Sequence, residues 1–234
     1  MVCTENFLPY SFADQLLPAE MRNIKAIAHE YRYCKGEYIF QAEQSDQSVY
    51  IMVNGTVKIS RISELGHELI QWFCMPGDIF GISGENNFSN SIYAKTLSNC
   101  IVLRINKHAF NQLMLDQPRI GLLVIDKLSA RIHTLGDMIL YMASDDANTR
   151  FIKLLQYLAK NYGQQTIEGV YIDIPTTHQD MADMIGTCRQ TVSHIISKLK
   201  RSGTIRMSRN GIHIDKPQQL LKQSSEPIVH SLTG

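Results

Sequence analysis

THQDMADMIGTCRQTVSHIISKLK, running from Thr177 to Lys200, decides the reading of this chain. It divides into two short helices joined by a tight turn. Met181, Ala182 and Ile185 fall at helical spacing on one face of the first. Gly186 follows, where the turn needs a residue free to take positive φ. Thr187 is expected to start the second helix, with Gln190 three residues on completing a capping box. Val192, Ile195, Ile196 and Leu199 give that helix a stripe to bury. Its other face carries Arg189, Gln190, Ser193, His194 and Lys198. Such a helix-turn-helix presents its second helix to base edges and phosphates.

An ordinary helical hairpin with a polar outer face would show the same periodicity. Local charge separates the two. Between Thr176 and His213 stand six cations (Arg189, Lys198, Lys200, Arg201, Arg206, Arg209) and two acids (Asp180, Asp183), whereas the first 116 residues hold more acids than bases. The formal net charge of +1 therefore conceals a basic C-terminal module, the footprint that phosphate binding requires.

After the second helix, RSGTIRMSRNGIHI (Arg201–Ile214) predicts a β-wing. Gly203 ends the helix, Ile205 and Met207 alternate with polar neighbours, Asn210-Gly211 supplies a hairpin turn, and Ile212–Ile214 returns. Arg206 and Arg209 then sit where a wing meets the DNA backbone.

Toward the N-terminus the pattern changes to period two. Tyr38–Phe40, Val49–Val53, Thr56–Ile59, Glu68–Cys74 and Cys100–Ile105 are short runs separated by turn residues such as Gly36, Asn54-Gly55 and Pro76-Gly77-Asp78. Many short strands imply a small barrel or sandwich. A metal-dependent cupin enzyme would need clustered His and carboxylate ligands. His29, His67 and His108 are dispersed, with no Ser-His-Asp grouping and no phosphate-cradling glycine loop, so neither an enzyme nor a metal or cofactor site is read.

Between body and helix-turn-helix lies a helical stretch from Pro118 to about Met142. Ile125, Ile132 and Ile139 recur every seven residues, and Leu128, Leu135 and Met142 do so offset by three. Isoleucine at a with leucine or methionine at d fits a parallel two-stranded seam; a helix packed on its own barrel is the competing reading. A homodimer would set two recognition helices about one DNA turn apart. Asp145 or Asp146 caps the following helix, which runs to about Tyr162. The expected organisation is residues 1–117 as sensor body, 118–143 as dimerisation helix, 144–217 as DNA-binding domain and 218–234 as tail.

The chain has 44% hydrophobic and 19% charged residues, as a globular protein with a true core requires. No apolar run is long enough to span a membrane and no signal-peptide pattern opens the chain. Cys3, Cys34, Cys74, Cys100 and Cys188 are scattered and odd in number, so a reducing, cytoplasmic setting is expected.

On these motifs the chain resembles the Crp/Fnr superfamily of bacterial transcription regulators. KGEYIF (35–40) and VYIMVNGTVKIS (49–60) are similar to the opening of that family's β-roll, MPGDIFG (75–81) to its Gly-Asp turn, and GTCRQTVSHIISKLK (186–200) to its recognition helix. The resemblance implies an α+β fold: an N-terminal β-roll (double-stranded β-helix, cyclic-nucleotide-binding-domain-like), a long dimerisation helix and a C-terminal winged helix-turn-helix. It further implies a homodimer on double-stranded DNA that contacts RNA polymerase. The candidate DNA-contacting set is Thr177, His178, Arg189, Gln190, Thr191, Ser193, His194, Lys198, Arg206 and Arg209. The candidate dimer set is Ile125, Leu128, Ile132, Leu135, Ile139 and Met142.

The effector is not given by the resemblance. Cyclic-AMP-binding members place a Gly-Glu pair on the ribose; here those positions read Gly81-Ile82. NNFSNSIYAKT (86–96), which should carry the phosphate-gripping Arg-Ser pair, has no arginine. A phosphate buried without a cation is costly. Iron–sulfur members carry an N-terminal cysteine group, and only Cys3 is present. Cys188 is expected to be a small buried packing residue, the alternative being a thiol sensor at a helix N-terminus. Two classes follow: a DNA-binding regulator controlled by an unidentified signal, or a ligand or redox sensor acting mainly through a protein partner.

Overall fold

The computed structural model describes residues 11–41, 47–82, 92–208, 211–218 and 220. They form two compact units that divide inside one long helix, the first reaching Ile139 and the second beginning at Leu140.

The first unit opens with a 3₁₀ turn and helix α1 (Pro18–Ile27), then eight strands, β1 (Ala28–Tyr33), β2 (Tyr38–Phe40), β3 (Ser48–Asn54), β4 (Val57–Ile62), β5 (Glu68–Cys74), β6 (Ile79–Phe80), β7 (Ile92–Thr96) and β8 (Cys100–Asn106), followed by α2 (Lys107–Asp116) and α3 (Pro118–Ser144). The strands make two four-stranded antiparallel sheets in the orders β1-β8-β3-β6 and β2-β7-β4-β5. This is the β-roll.

Strand β3 shows why the sequence folds this way. Its first five residues are buried on both faces. Tyr50 and Met52 turn inward, packing with Ile39, Val57, Ile59, Phe80 and Val102 from both sheets. Val49 and Ile51 turn outward, against Ile24, Phe110, Ile120, Leu123 and Val124 from the three helices. A strand sandwiched this way must read as a continuous apolar run rather than an alternation, and Val49–Val53 does. Each such side chain, fully buried, contributes about 1.5–3 kcal/mol. Gly81 ends the strand run with φ 79°; a Cβ there would lie 2.8 Å from the Tyr50 ring and 2.9 Å from the Ser48 carbonyl oxygen. Only glycine fits so close an approach.

The second unit contains α4 (Ala147–Tyr162), a hairpin of β9 (Gly163–Thr166) and β10 (Gly169–Ile172), α5 (His178–Ile185), α6 (Arg189–Arg201), β11 (Ile205–Met207) and β12 (Ile212–Ile214). Asp146 caps α4 by accepting from the Thr149 amide at 2.7 Å. Phe151, Ile152, Leu155 and Leu158 on α4, with Met181, Ala182, Val192 and Ile196, are essentially inaccessible to solvent. The wing strands β11 and β12 pair with Arg206 opposite His213. They belong to a four-stranded sheet, β11-β12-β10-β9. The β9–β10 hairpin has no counterpart in the sequence reading, because Gly163-Gln164-Gln165-Thr166 carries no apolar alternation. The wing's turn residues Arg209 and Asn210 lie outside the described residues.

Candidate nucleic-acid interface and sensor cavity

The turn of the helix-turn-helix is set by local chemistry. Thr177 caps α5 reciprocally with Asp180: the Asp180 amide donates to Thr177 Oγ1 at 3.1 Å and the Thr177 amide to Asp180 Oδ2 at 2.9 Å. Gly186 takes φ 61°, ψ 51°, and the Thr187 amide returns to the Ala182 carbonyl at 3.1 Å, closing the helix.

The capping box expected at Thr187 and Gln190 does not form. The N-cap of α6 is Cys188, which makes no side-chain cap, so Gln190 is the second helical residue rather than the third. Its side chain is exposed and is not spent on closing its own helix. Cys188 corrects a second expectation: it is exposed, not a buried packing residue. Its sulfur lies 3.1 Å from Thr191 Oγ1, and the hydroxyl and amide of Thr191 hold the thiol below its ordinary range.

Along α6 the structure leaves Arg189, Gln190, His194 and Lys198 exposed, with Thr191 and Ser193 partly so. Val192, Ile195, Ile196 and Leu199 face the core. His178 reaches across from α5 to place Nδ1 2.9 Å from Ser193 Oγ, so two of the candidate contacts are tied to each other. Burial lowers the His178 pKa from its ordinary value, and the positive charges of Lys200 and Arg189 push it the same way. Lys200, missing from the candidate set, thus belongs to the same basic surface; the run SKLKR was its signal. Arg206 is held on the wing: its Nε donates to both carboxylate oxygens of Asp215 at 3.0 Å, and its Nη2 lies 2.6 Å from Glu168. Arg206 therefore reaches a phosphate only in competition with two carboxylates.

Sequence reasoning missed Arg150 on α4. Its Nε donates to the Ile185 carbonyl at the end of α5, and its Nη1 to the Asp145 carbonyl just after α3, both at 2.8 Å. Lys153, one turn further on, lies 2.8 Å from Asp145 Oδ2 and 3.9 Å from the centre of the Tyr141 ring. A lone Arg inside an amphipathic helix carries no signal of such a clamp.

On α3, Ile125, Ile132 and Ile139 are 57%, 69% and 69% exposed, while Leu128, Leu135 and Met142 are half-buried. The a row is bare and the d row leans on protein; Leu128 packs on the β-roll core.

Where α3 passes the β-roll, a cavity of about 280 Å³ opens. Phe40, Ile59, Trp72, Phe80, Ile82, Ile92, Leu128, Ile132 and Leu135 form its apolar wall; Gln41, Ser48 and Arg131 are its polar side chains. Gly81-Ile82 lies in the wall, so an isoleucine stands where cyclic-AMP-binding members place an acid. Most of the stretch expected to hold the phosphate-gripping pair lies outside the described residues. Its described end is β7, where the cation Lys95 sits over the Tyr38 ring rather than in the cavity wall.

Fold and site together define a DNA-binding transcription regulator with a sensory β-roll. Comparison with known proteins agrees. The family model for the cyclic nucleotide-binding domain matches residues 30–117, and that for the Crp-like helix-turn-helix domain matches residues 149–223. The chain belongs to the Crp/Fnr superfamily. It is 27% identical to the global nitrogen regulator of Nostoc sp., over 81% of this chain and 86% of that protein. It is 24% identical to the anaerobic regulatory protein of Haemophilus influenzae, over 92% of this chain and 82% of that one. The solved structure of FixK2 from Bradyrhizobium japonicum superposes with a TM-score of 0.75 at 20% identity, covering 86% of this chain and 99% of that one. These relatives are regulators, not enzymes. Among the described residues no helix is long and apolar enough to cross a membrane.

Proposed function

We propose that this regulator works in the cytoplasm as a homodimer paired along α3, binds a pseudo-palindromic DNA site through α6 of each protomer, and takes its signal at the β-roll. The observation that carries this reading is the bare row of Ile125, Ile132 and Ile139 on the same chain as an exposed basic recognition helix. Isoleucines spaced by heptads and left in water on one chain are the a positions of a seam awaiting its partner. A two-fold axis along α3 requires a two-fold site on DNA, with half-sites about one turn apart. Contact with RNA polymerase follows from the family resemblance. The test is selection of bound DNA from a random pool by the full chain. An inverted repeat supports the reading, and recovery of single half-sites overturns it.

Arg189, Gln190, His194 and Lys198 form the proposed reading face, with His178 and Ser193 beside them. Many relatives carry Glu where Gln190 stands, and Glu accepts from cytosine N4, whereas Gln pairs with adenine N6 and N7. Because Gln190 is free of any capping duty in α6, Gln190→Glu is expected to change base preference at one position of each half-site. The expected discrimination is about 1–3 kcal/mol. Selection experiments with both proteins check this; identical recovered sites remove Gln190 from the specificity set.

Cyclic AMP is expected not to act here. Ile82 offers no acceptor to a ribose hydroxyl, and a desolvated hydroxyl left unpaired costs about 1–3 kcal/mol. Titration calorimetry of the full chain should show no heat of specific binding at micromolar nucleotide. Micromolar affinity with a matching rise in DNA affinity would end this view.

A further inference from the structure

The cavity beside α3 has a chemistry of its own. Its wall is aromatic and aliphatic, with Phe40, Trp72 and Phe80 on the β-roll and Leu128 and Leu135 on the helix. Among the residues of the wall the charged side chain is Arg131. Its guanidinium carbon stands 5.0 Å from the Trp72 ring centre, so the cation lies over the indole face. One of its N–H groups donates to the Ile79 carbonyl. A guanidinium has five N–H donors, and that bond uses one. No carboxylate among the described residues lies within ion-pair distance of it. Outside the wall, Asp78 and Asp14 bring carboxylates and Lys127 a second cation to the same neighbourhood.

Two further polar features bear on the choice of ligand. Ser48 Oγ already accepts from Arg104 Nε at 2.9 Å, so its remaining capacity is that of a single hydroxyl. The Trp72 indole N–H is buried against the Cys74 thiol, so it is not a donor that the cavity offers. One cation, two neutral polar side chains (Gln41 and Ser48) and a mostly apolar wall suit a ligand with a single anionic end. A second anionic group would find no second cation in the described wall, at a cost in desolvation.

Resting on the reading of the β-roll as the sensory domain, we propose that this cavity binds a small monocarboxylate with an apolar, ring-sized body, whose carboxylate pairs with Arg131. The apolar body fills the space between Phe40, Phe80 and Leu135. Arg131 belongs to α3, and so does Ile132, which lines the cavity and also stands in the proposed dimer seam. A ligand in this cavity therefore touches the helix along which protomers pair.

Trp72 is the sole tryptophan of the chain, so its fluorescence reports on the cavity directly. The experiment titrates the full chain with phenylacetate, with neutral phenylacetamide and with the dianion succinate. Phenylacetate is expected to give a saturable change in Trp72 emission. Phenylacetamide should bind about tenfold or more weaker, because it forgoes the charge-assisted pair, and succinate should give no change. Arg131→Gln should bring acid and amide to the same affinity. Because Arg131 also bonds the Ile79 carbonyl, Ile82→Glu provides a second variant, which sets a carboxylate in the wall and should abolish acid binding while the chain stays folded by circular dichroism. Equal affinity for acid and amide, or no saturable change with either, overturns the proposal. Neither arm involves DNA or dimer formation. Loss of the ligand class is thus told apart from loss of the regulatory reading, which rests on DNA selection and on ultracentrifugation.

Discussion

Ile132→Asp is expected to turn the protein into monomers and to remove high-affinity binding to a two-fold DNA site. Ile125, Ile132 and Ile139 are more than half exposed on one chain. Burying each in a seam contributes on the order of 1.5–3 kcal/mol, and a partner helix doubles the count. An aspartate at the centre of the row forfeits its own share and brings an uncompensated charge into an apolar contact. The combined loss, above about 3 kcal/mol, is more than a hundredfold in dimer affinity. Sedimentation velocity on the full chain measures it. Since Ile132 also lines the cavity, Ile125→Asp is the companion variant, remote from the ligand wall. If both variants sediment as dimers and bind DNA normally, α3 is not the seam.

Arg150→Met should destabilise the C-terminal unit by about 2–4 kcal/mol and leave the β-roll's own unfolding unchanged. Arg150 spans two carbonyls, Ile185 at the end of α5 and Asp145 at the start of the α4 linker. Hydrogen bonds from a charged donor are worth about 1.5–3 kcal/mol each, and removing the donor leaves two partly buried carbonyls to find water. Methionine keeps the aliphatic stem packed, so the loss isolates the hydrogen bonds. Calorimetry should show the transition of the helix-turn-helix unit falling while the other stays. Because Arg150 fixes where α5 ends relative to α4, DNA affinity should fall even below the new melting temperature. A melt indistinguishable from that of the unaltered chain would show that the clamp carries no stability.

Most of the helix-turn-helix was legible because its signals are local. Met181, Ala182 and Ile185 keep period and face without reference to the rest of the chain, and Gly186 marks the one place where left-handed backbone is required. Five of the eight β-roll strands (β2, β3, β4, β5 and β8) were legible for the same reason, as apolar runs between turn residues; β1, β6 and β7 were not read. What failed at short range was the start of α6. Thr187 and Gln190 have the right chemistry for a capping box, yet the chain spends Thr187 on closing α5 and begins the next helix after Cys188. Two turn motifs competed for one residue, and the αL cap at Gly186 won. The β9–β10 hairpin was invisible because Gln164, Gln165 and Thr166 are polar and gain their strand only from pairing with β10, itself held by β12.

By itself, then, the sequence determined the helix-turn-helix, the long helix, five strands of the β-roll and the class. Periodicity of 3.6 or 2, glycine at positive φ, and a basic stretch near the C-terminus are properties of neighbours along the chain, and neighbours are all that a sequence lists. The tertiary structure decided which groups meet. It brought Arg150 to Ile185 across 35 residues and set Arg206 against Glu168 and Asp215. It turned Arg131 over Trp72, from a helix to a strand nearly sixty positions away, and so made a cavity with one charged side chain among the described residues of its wall. Contacts of that kind depend on how sheets and helices stack, a matter of packing between remote segments that no local pattern encodes.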